Sequence, residues 1–432
     1  MAPVNICGQP ITLVEELRRQ GIDAHLLQYG SRGHRFGYKT DRVVDLRGGE
    51  RAAGQMETVK ACLDEGFDIF HFFLRTLFYG GGPTGYKDAG LDLPFIKNRG
   101  RRIVYRFTGF DVRLKSEHIK KNPYHPYQYG YTNTLDEDIQ KRYLAFLQQY
   151  VDQFIVPDPE MHEFFPEAIV IRRAINLQDW SYVGVQPNDC PLIIHAPSDP
   201  LVKGTKFIVS ALEDLKAEGL KFSFKLISDM NHSEAAVWYR RADIVVDQLC
   251  IGWYANFAME CMALGKPVIV YIREGLEDSP DPSSAIENAN PDNIKEKLRS
   301  LIKDFDRRSE LGKLGRQYVE QVHDVRKVVP QWIDVYTKVL KEPPVEPSSF
   351  TDIDYFLTQY QLTHEELPKL RYKARSYDKL LKELPGLRYK ARKSQGIITA
   401  IAFAPLRVKP LRWLFRLLKR HRKSFTKVKD GA

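Results

Sequence analysis

Two positions in the second half of the chain carry charged side chains suited to binding an anionic group and a sugar diol. At the first, a strand-like run over residues 192–196 leads through Lys203-Gly204 into an amphipathic helix. A lysine beside the free N–H groups of a helix N-terminus can hold an anionic group such as a phosphate. A surface lysine before a helix explains the same pattern, and a lysine–glycine pair is common.

The second position is Glu260, which lies in a helix-like segment made almost entirely of apolar residues. A carboxylate in such surroundings needs hydrogen-bond partners if it is buried. A sugar diol suits it, since a carboxylate can accept two hydroxyl hydrogen bonds. The alternative is that Glu260 faces solvent or caps a neighbouring backbone.

Polar side chains also follow two further strand-like runs, and ligands of parallel α/β sheets bind outside the carboxyl ends of strands. Lys203 and Asp111 are the catalytic candidates. Asp111, in the segment TGFDVR, would orient a substrate or sugar hydroxyl; an Asp111–Arg113 pair closing the loop is the alternative. Asp247 and Tyr254 flank the turn after another run and are candidates for contacting sugar hydroxyls. An aspartate in a turn is the commoner explanation.

The elements that must position these residues form two similar series. From the N-terminus to about residue 340, short apolar runs alternate with helical patterns, which is typical of parallel sheets covered by helices on both faces. We therefore predict an α/β fold of two doubly wound domains with a cleft between them. The predicted divisions are a first domain at 1–178, a second at 179–341, a proline-rich linker at 342–365 and a basic helical tail at 366–432.

Composition and charge exclude several classes of protein. The net charge is +10, but the segment from residue 386 onward holds 14 Lys and Arg against one acid, so residues 1–385 are net −3. A specific nucleic-acid binder is therefore not expected from the high isoelectric point. The five cysteines form no pair or cluster with metal-ligand spacing, and no apolar run reaches the roughly 20 residues of a membrane span. We expect a cytoplasmic protein without a metal site.

Several segments resemble the GT-B-fold glycosyltransferases of the large retaining family 4 type, over about residues 5–340. The most specific segments are LVKGTKFIVSALEDL, AMECMALGKPVIV, and ANPDNIKEKLRSLI followed by LGRQYVEQVHD. The resemblance implies two Rossmann-like domains facing a cleft and transfer of a sugar from a nucleotide-sugar to an acceptor hydroxyl. It also implies that Glu260 binds the ribose, that Lys203 with Gly204 binds the diphosphate, and that Gly8 forms the glycine turn after the first strand. No metal and no cofactor besides the donor is implied.

The sequence departs from that family at four points. Gly252 stands where a first carboxylate is frequent, Ser198 where an arginine is common, and Thr108 where a histidine often precedes a glycine; few residues are left for a strand before Gly8. Two alternatives therefore stay open. One is another GT-B enzyme such as a nucleotide-sugar epimerase, and the other is a catalytically inactive binding or scaffold protein.

The C-terminal tail has the pattern of a helix lying in a membrane interface. In residues 410–425, apolar side chains share one helical face and Lys and Arg share the other, and an apolar run precedes them at 396–406. We predict that residues 396–425 bind an anionic membrane surface, which places the protein peripherally on the inner face and suits a lipid-linked or envelope-polysaccharide acceptor. The alternatives are packing on the protein's own body or a loose polyanion-binding tail.

Overall fold

Two parallel sheets organise the body of the protein in this computed structural model. The structure describes residues 5–30, 37–45, 51–78, 89–132, 136–276, 278–343 and 372. Packing divides the chain into two units, Met1–Leu357 and Thr358–Ala432. Apart from residue 372, the predicted tail at 366–432 lies outside the described residues, as does the linker beyond residue 343.

The first half of the body is built around a four-stranded sheet of order β3-β4-β5-β6, with a separate pair β1-β2; all pairings are parallel. Its elements are α1 (Gln9–Arg19), β1 (Leu27–Gly30), β2 (Arg42–Asp45), α2 (Arg51–Asp64), β3 (Ile69–Phe73), α3 (Leu93–Asn98), β4 (Arg102–Arg106), α4 (Lys115–Lys121), α5 (Glu137–Gln148), β5 (Gln153–Val156), α6 (Pro159–His162) and β6 (Ile169–Val170). A 3₁₀ turn, Ile6–Gly8, precedes α1, and no strand precedes Gly8 within residues 5–7.

The second half of the body contains a five-stranded parallel sheet of order β11-β10-β9-β7-β8. Its elements are β7 (Leu192–His195), α7 (Pro200–Lys203), α8 (Thr205–Ala217), β8 (Ser223–Leu226), α9 (His232–Arg241), β9 (Ile244–Val246), α10 (Asn256–Ala263), β10 (Val268–Val270), β11 (Glu287–Asn288), α11 (Ile294–Lys303), α12 (Phe305–Val322) and α13 (Val325–Lys341). The α/β fold with parallel sheets is therefore confirmed.

Apolar patterning explains why both sheets are covered on two faces. The three residues of β9 and the three central residues of β4 are buried and apolar, because parallel strands between helical layers are apolar on both sides. The last helix, α13, leaves the second half and returns to the first. There Val328 and Trp332 share a buried core with Ile11 and Val14 of α1.

The two halves touch through polar contacts as well as through α13. The side chain of Asn122, at the end of α4, donates to the carbonyl oxygens of Cys250 and Ile251, both at 3.0 Å. The Tyr124 hydroxyl donates to Asp292 at 2.5 Å. These contacts lie beside the carboxyl ends of the second-half strands, so they help to fix the loops that surround the predicted site.

None of the helices in the described part of the chain is long and apolar enough to cross a membrane.

Candidate functional site

A cavity of about 200 Å³ lies where β7 and β8 end, and we call it the donor cavity. It holds Lys203 and Glu260 together, as the resemblance implied. Its other walls come from the loops after these strands, from α9 and α10, and from the first half through Cys7 and Tyr38. The lining residues are Cys7, Tyr38, Ala196, Pro197, Ser198, Lys203, Ile227, Ser228, Asp229, Met230, His232, Ala235, Tyr239, Ala255, Asn256, Phe257 and Glu260.

Glu260 is buried on α10 and its partner is His232, the first residue of α9. The imidazole Nε2 lies 2.9 Å and 3.0 Å from the two carboxylate oxygens. Burial raises the pKa of Glu260, and the hydrogen bond with His232 offsets part of that rise. Burial lowers the pKa of His232, but the hydrogen bond to Glu260 and its charge outweigh burial, so the net pKa is raised. The carboxylate is thus oriented at the wall of the donor cavity.

Lys203 ends the short helix α7 and forms a buried ion pair. Its Nζ lies 2.5 Å from Oδ1 of Asp247, and the second carboxylate oxygen accepts the Ala255 N–H at 3.0 Å. Asp247 therefore ties the lysine to the start of α10. It is fully buried and does not line the cavity, so the structure gives it a positioning contact rather than a sugar contact.

Gly204 and Gly8 are the backbone candidates, and each adopts a left-handed conformation that favours glycine. Gly204 has φ of +74° and joins α7 to α8, where a Cβ would lie 3.1 Å from side-chain atoms of Leu249 and Cys250. Gly8 has φ of +68° at the start of α1, and a Cβ there would lie 2.9 Å from the ring of Tyr38. Both glycines therefore allow a close approach next to cavity-lining residues.

Asp111 lies in the loop after β4, where its carboxylate binds backbone. It accepts N–H groups from Thr108 at 3.0 Å and from Gly109 at 2.6 Å. Burial raises its pKa to about 6, against the lowering effect of these hydrogen bonds. Arg113 pairs instead with Glu160, Nη2 to Oε2 at 2.5 Å. The Asp111–Arg113 pair considered as an alternative is therefore not formed, and Asp111 closes its loop through the backbone.

Tyr254 is buried away from the donor cavity. Its hydroxyl is 2.9 Å from the hydroxyl of Tyr318 and 2.8 Å from Nε2 of His323. The turn before it begins at Gly252, whose φ of +101° suits glycine. In the family that the sequence resembles, a carboxylate is frequent at this position. A residue with such a side chain would need a positive φ here, which residues other than glycine rarely adopt.

Sequence reasoning missed three residues of the site. His232 follows Asn231, which caps α9 through a capping box, and that motif marks the helix start but not the contact with Glu260. The ring of Tyr38 lies 4.7 Å from the ring of His232, across from the other half of the body. Asn256 begins α10 without a side-chain cap before it. Only Asn256 had a signal, its place two residues before the family-like segment that begins at Ala258.

The larger grooves on the described surface are not lined by any of the predicted site residues. A larger groove of about 430 Å³ lies between α1, β3 and α13, and none of the predicted site residues lines it. Within the described ranges, no three His, Cys, Asp or Glu side chains are grouped as metal ligands.

One known protein family matches part of the second half of the chain. Residues 206–334, which include Glu260, match a family model described as glycosyl transferase-like. Comparison with curated protein sequences gives no match.

Among solved structures, the sucrose-phosphate synthase of Thermosynechococcus elongatus is similar at 16% identity and a TM-score of 0.53, covering 76% of this chain and 92% of that one. A glycosyltransferase from Rickettsia africae has 13% identity and a TM-score of 0.53, covering 79% and 97%. HepE of Anabaena, solved with UDP and glucose, has 12% identity and a TM-score of 0.50, covering 76% and 96%. The body of the protein thus has the GT-B fold of glycosyltransferases, and its second half matches the glycosyl transferase-like family.

Proposed function

We propose that this protein is a glycosyltransferase that moves a sugar from a nucleotide-sugar to an acceptor hydroxyl. The observation that carries the proposal is that Lys203 and Glu260 line one cavity at the carboxyl ends of parallel strands. A GT-B neighbour, HepE, was solved with UDP and glucose, and we propose a uridine nucleotide as the first donor to test. The retaining family 4 type and hexosyl transfer belong to the same proposal.

The chemistry follows from where the charges lie. In the reaction a diphosphate leaves with growing negative charge, and fixed positive groups stabilise that charge in the transition state. Lys203 supplies one such group, and the N-terminus of α10 supplies uncapped N–H groups beside it. The Glu260 carboxylate would accept ribose hydroxyls while His232 keeps it oriented. Binding and positioning would then contribute the remaining rate enhancement.

We also propose that the reaction needs no metal ion. In this proposal Lys203 and the α10 N-terminus would take the role that a divalent cation plays in other phosphate sites. A rate that is unchanged after exhaustive chelation is the expected result. A rate that falls on chelation and returns with magnesium would contradict this part of the proposal.

Thermal unfolding with and without UDP tests the donor site. A ligand present at 100 times its dissociation constant adds about 2.7 kcal/mol to the stability of the folded state. We expect Glu260→Ala to weaken UDP binding by about tenfold to a hundredfold, because a hydrogen bond to a charged group contributes about 1.5 to 3 kcal/mol. Glu213→Ala, which changes an exposed glutamate of α8, is the matched control and should bind UDP like the wild type. Equal affinity in both variants would refute the ribose role.

Activity is then measured with UDP-sugars, with and without an acceptor. Transfer to an acceptor hydroxyl is the expected result. Conversion of the donor sugar in the absence of an acceptor would favour the epimerase alternative, and binding without any turnover would favour a scaffold.

For the basic tail, we propose attachment to an anionic membrane surface through residues 396–425, beside a lipid-linked or envelope-polysaccharide acceptor. The proposal rests on the sequence alone, since residues 1–385 are net −3 and the rest is net +13. Each Lys or Arg near an anionic surface contributes about 1 kcal/mol. A chain ending at Pro385 should lose co-sedimentation with phosphatidylserine vesicles while keeping UDP binding. Continued sedimentation of this shortened chain would refute the proposal.

A further inference from the structure

A buried arginine, Arg106, ends β4 without a counter-ion. It is 4% exposed, and its guanidinium carbon lies 5.4 Å from the ring of Phe73 and 5.5 Å from that of Trp332. No hydrogen bond or ion pair joins its guanidinium to another residue within the described ranges. A charge taken out of water is costly unless it is paired. The position of Arg106 therefore calls for a negatively charged partner from outside the protein.

A second arginine strengthens this reasoning. Arg173 lies close enough to Arg106 that its charge, after burial, helps to lower the pKa of Arg106 to about 9. One Nη of Arg173 is 2.9 Å from Asp158, and the other is buried without a hydrogen-bond partner in the described structure. Arg106, Arg173 and Asp158 together are thus two cations and one carboxylate. The balance leaves one positive charge uncompensated.

Both arginines line a small cavity of about 30 Å³. Its walls also include Thr108 and Asn256, and the Asn256 carboxamide oxygen has no partner among the described residues. The volume exceeds the 10 to 15 Å³ that a single water needs, so oxygen atoms of an anionic group can enter. Asn256 lines this cavity and the donor cavity alike. The two sites therefore meet at the N-terminus of α10.

We propose that Arg106 and Arg173 form an anion subsite that binds a phosphate or carboxylate group of a substrate held in the adjoining donor cavity. Arginine suits this role because its planar guanidinium donates two parallel hydrogen bonds to such oxygens. The subsite rests on the proposed function for its place beside the donor. The anionic group belongs either to the donor, as its second phosphate, or to an acidic sugar or phosphorylated acceptor.

The test compares the full-length wild type with Arg106→Met, which keeps most of the side-chain volume against Phe73 and Trp332. Arg102→Met is the matched control: Arg102 is a buried arginine on the same strand, and it donates to backbone carbonyls at the end of α13. Binding of UDP, UMP and inorganic phosphate is measured by calorimetry at constant ionic strength. Phosphate is titrated both alone and with UDP at saturation.

Binding of at least one probe should be tenfold or more weaker in Arg106→Met than in Arg102→Met. A loss for UDP but not for UMP assigns the subsite to the second phosphate of the donor. A loss of phosphate binding that persists with UDP at saturation assigns it to an anionic acceptor or sugar. Equal binding of all three probes by both variants overturns the proposal.

A second pair of variants and the binding results for the wild type complete the test. If Arg106→Met fails to fold, Arg106→Lys against Arg102→Lys replaces it, because a lysine keeps the charge but loses the paired hydrogen bonds. If the wild type binds phosphate but not UDP, the nucleotide proposal fails while the anion subsite stands. If the wild type binds none of the three probes, the subsite proposal itself is refuted.

Discussion

Replacing Lys203 by methionine tests how much the buried Lys203–Asp247 ion pair, beside the donor cavity, contributes to the free energy of unfolding. The two side chains are 8% and 0% exposed, and Nζ to Oδ1 is 2.5 Å. Without the lysine, Asp247 would keep the Ala255 N–H but would lose its one ion-pair partner in the described structure. Removing one partner of a buried pair costs about 3 to 5 kcal/mol, because the remaining charge is uncompensated.

The size of this effect is measured by guanidinium unfolding followed by tryptophan fluorescence. Trp180, Trp238 and Trp253 belong to the second half and report on it. At about 1.4 kcal/mol per factor of ten, the folded-to-unfolded ratio should fall by roughly two to nearly four orders of magnitude. The double variant Lys203→Met/Asp247→Asn leaves no buried charge and should regain most of the loss.

A second buried ion pair serves as a control that distinguishes an effect on stability from an effect on donor binding. Lys97 lies 2.6 Å from Asp152 in the first half, with exposures of 1% and 7%, and lines no part of the donor cavity. Lys97→Met should lose a similar amount of stability while keeping the UDP affinity of the wild type. Lys203→Met should weaken UDP binding as well. A free energy of unfolding for Lys203→Met within about 1 kcal/mol of the wild type would contradict a stabilising ion pair. So would a double variant that is less stable than Lys203→Met.

Three other predictions concern single positions. Gly204→Ala should lose about 1 to 2 kcal/mol or more in denaturant unfolding, because φ is +74° and the new Cβ would be crowded; Gly219→Ala, at φ of +86° with no atom within 4 Å, should lose less, and an equal loss would exclude crowding. The pKa of His232 is raised in the folded protein, so its contact with Glu260 stabilises the fold fully at pH values below the ordinary pKa of 6.5. The melting-temperature advantage of the wild type over His232→Gln should therefore shrink between pH 6 and 8. A constant difference would contradict the Glu260 contact. Asp111 has a pKa raised from 3.8 to about 6, so the stability of the wild type relative to Asp111→Asn should decrease as pH rises from about 4 to about 6; a flat profile would mean that this carboxyl does not titrate in that range.

The sequence by itself determined the α/β architecture, and it indicated candidate residues for a site in it. Alternation of apolar runs and helical patterns predicted two parallel sheets, because buried parallel strands and amphipathic helices each leave a local periodic pattern. Lys203 was predicted because it stands between a strand and a helix, Glu260 because it stands in an apolar helical segment, and both because they lie within family-like segments. The positive φ of Gly204 agrees with a glycine between two helices. These are properties of short stretches of chain, which a sequence can display.

Only the tertiary structure decided which side chains meet. The contact of His232 with Glu260 joins residues 28 positions apart, and that of Lys203 with Asp247 joins residues 44 apart. Asp111 turned out to bind its own loop, a choice between local partners that the sequence left open. The uncompensated charge of Arg106 is also invisible in the sequence, since an arginine on a strand reveals its burial and lack of a partner only when every neighbour is in place. Charge pairing depends on distances across the fold, and no local pattern encodes them.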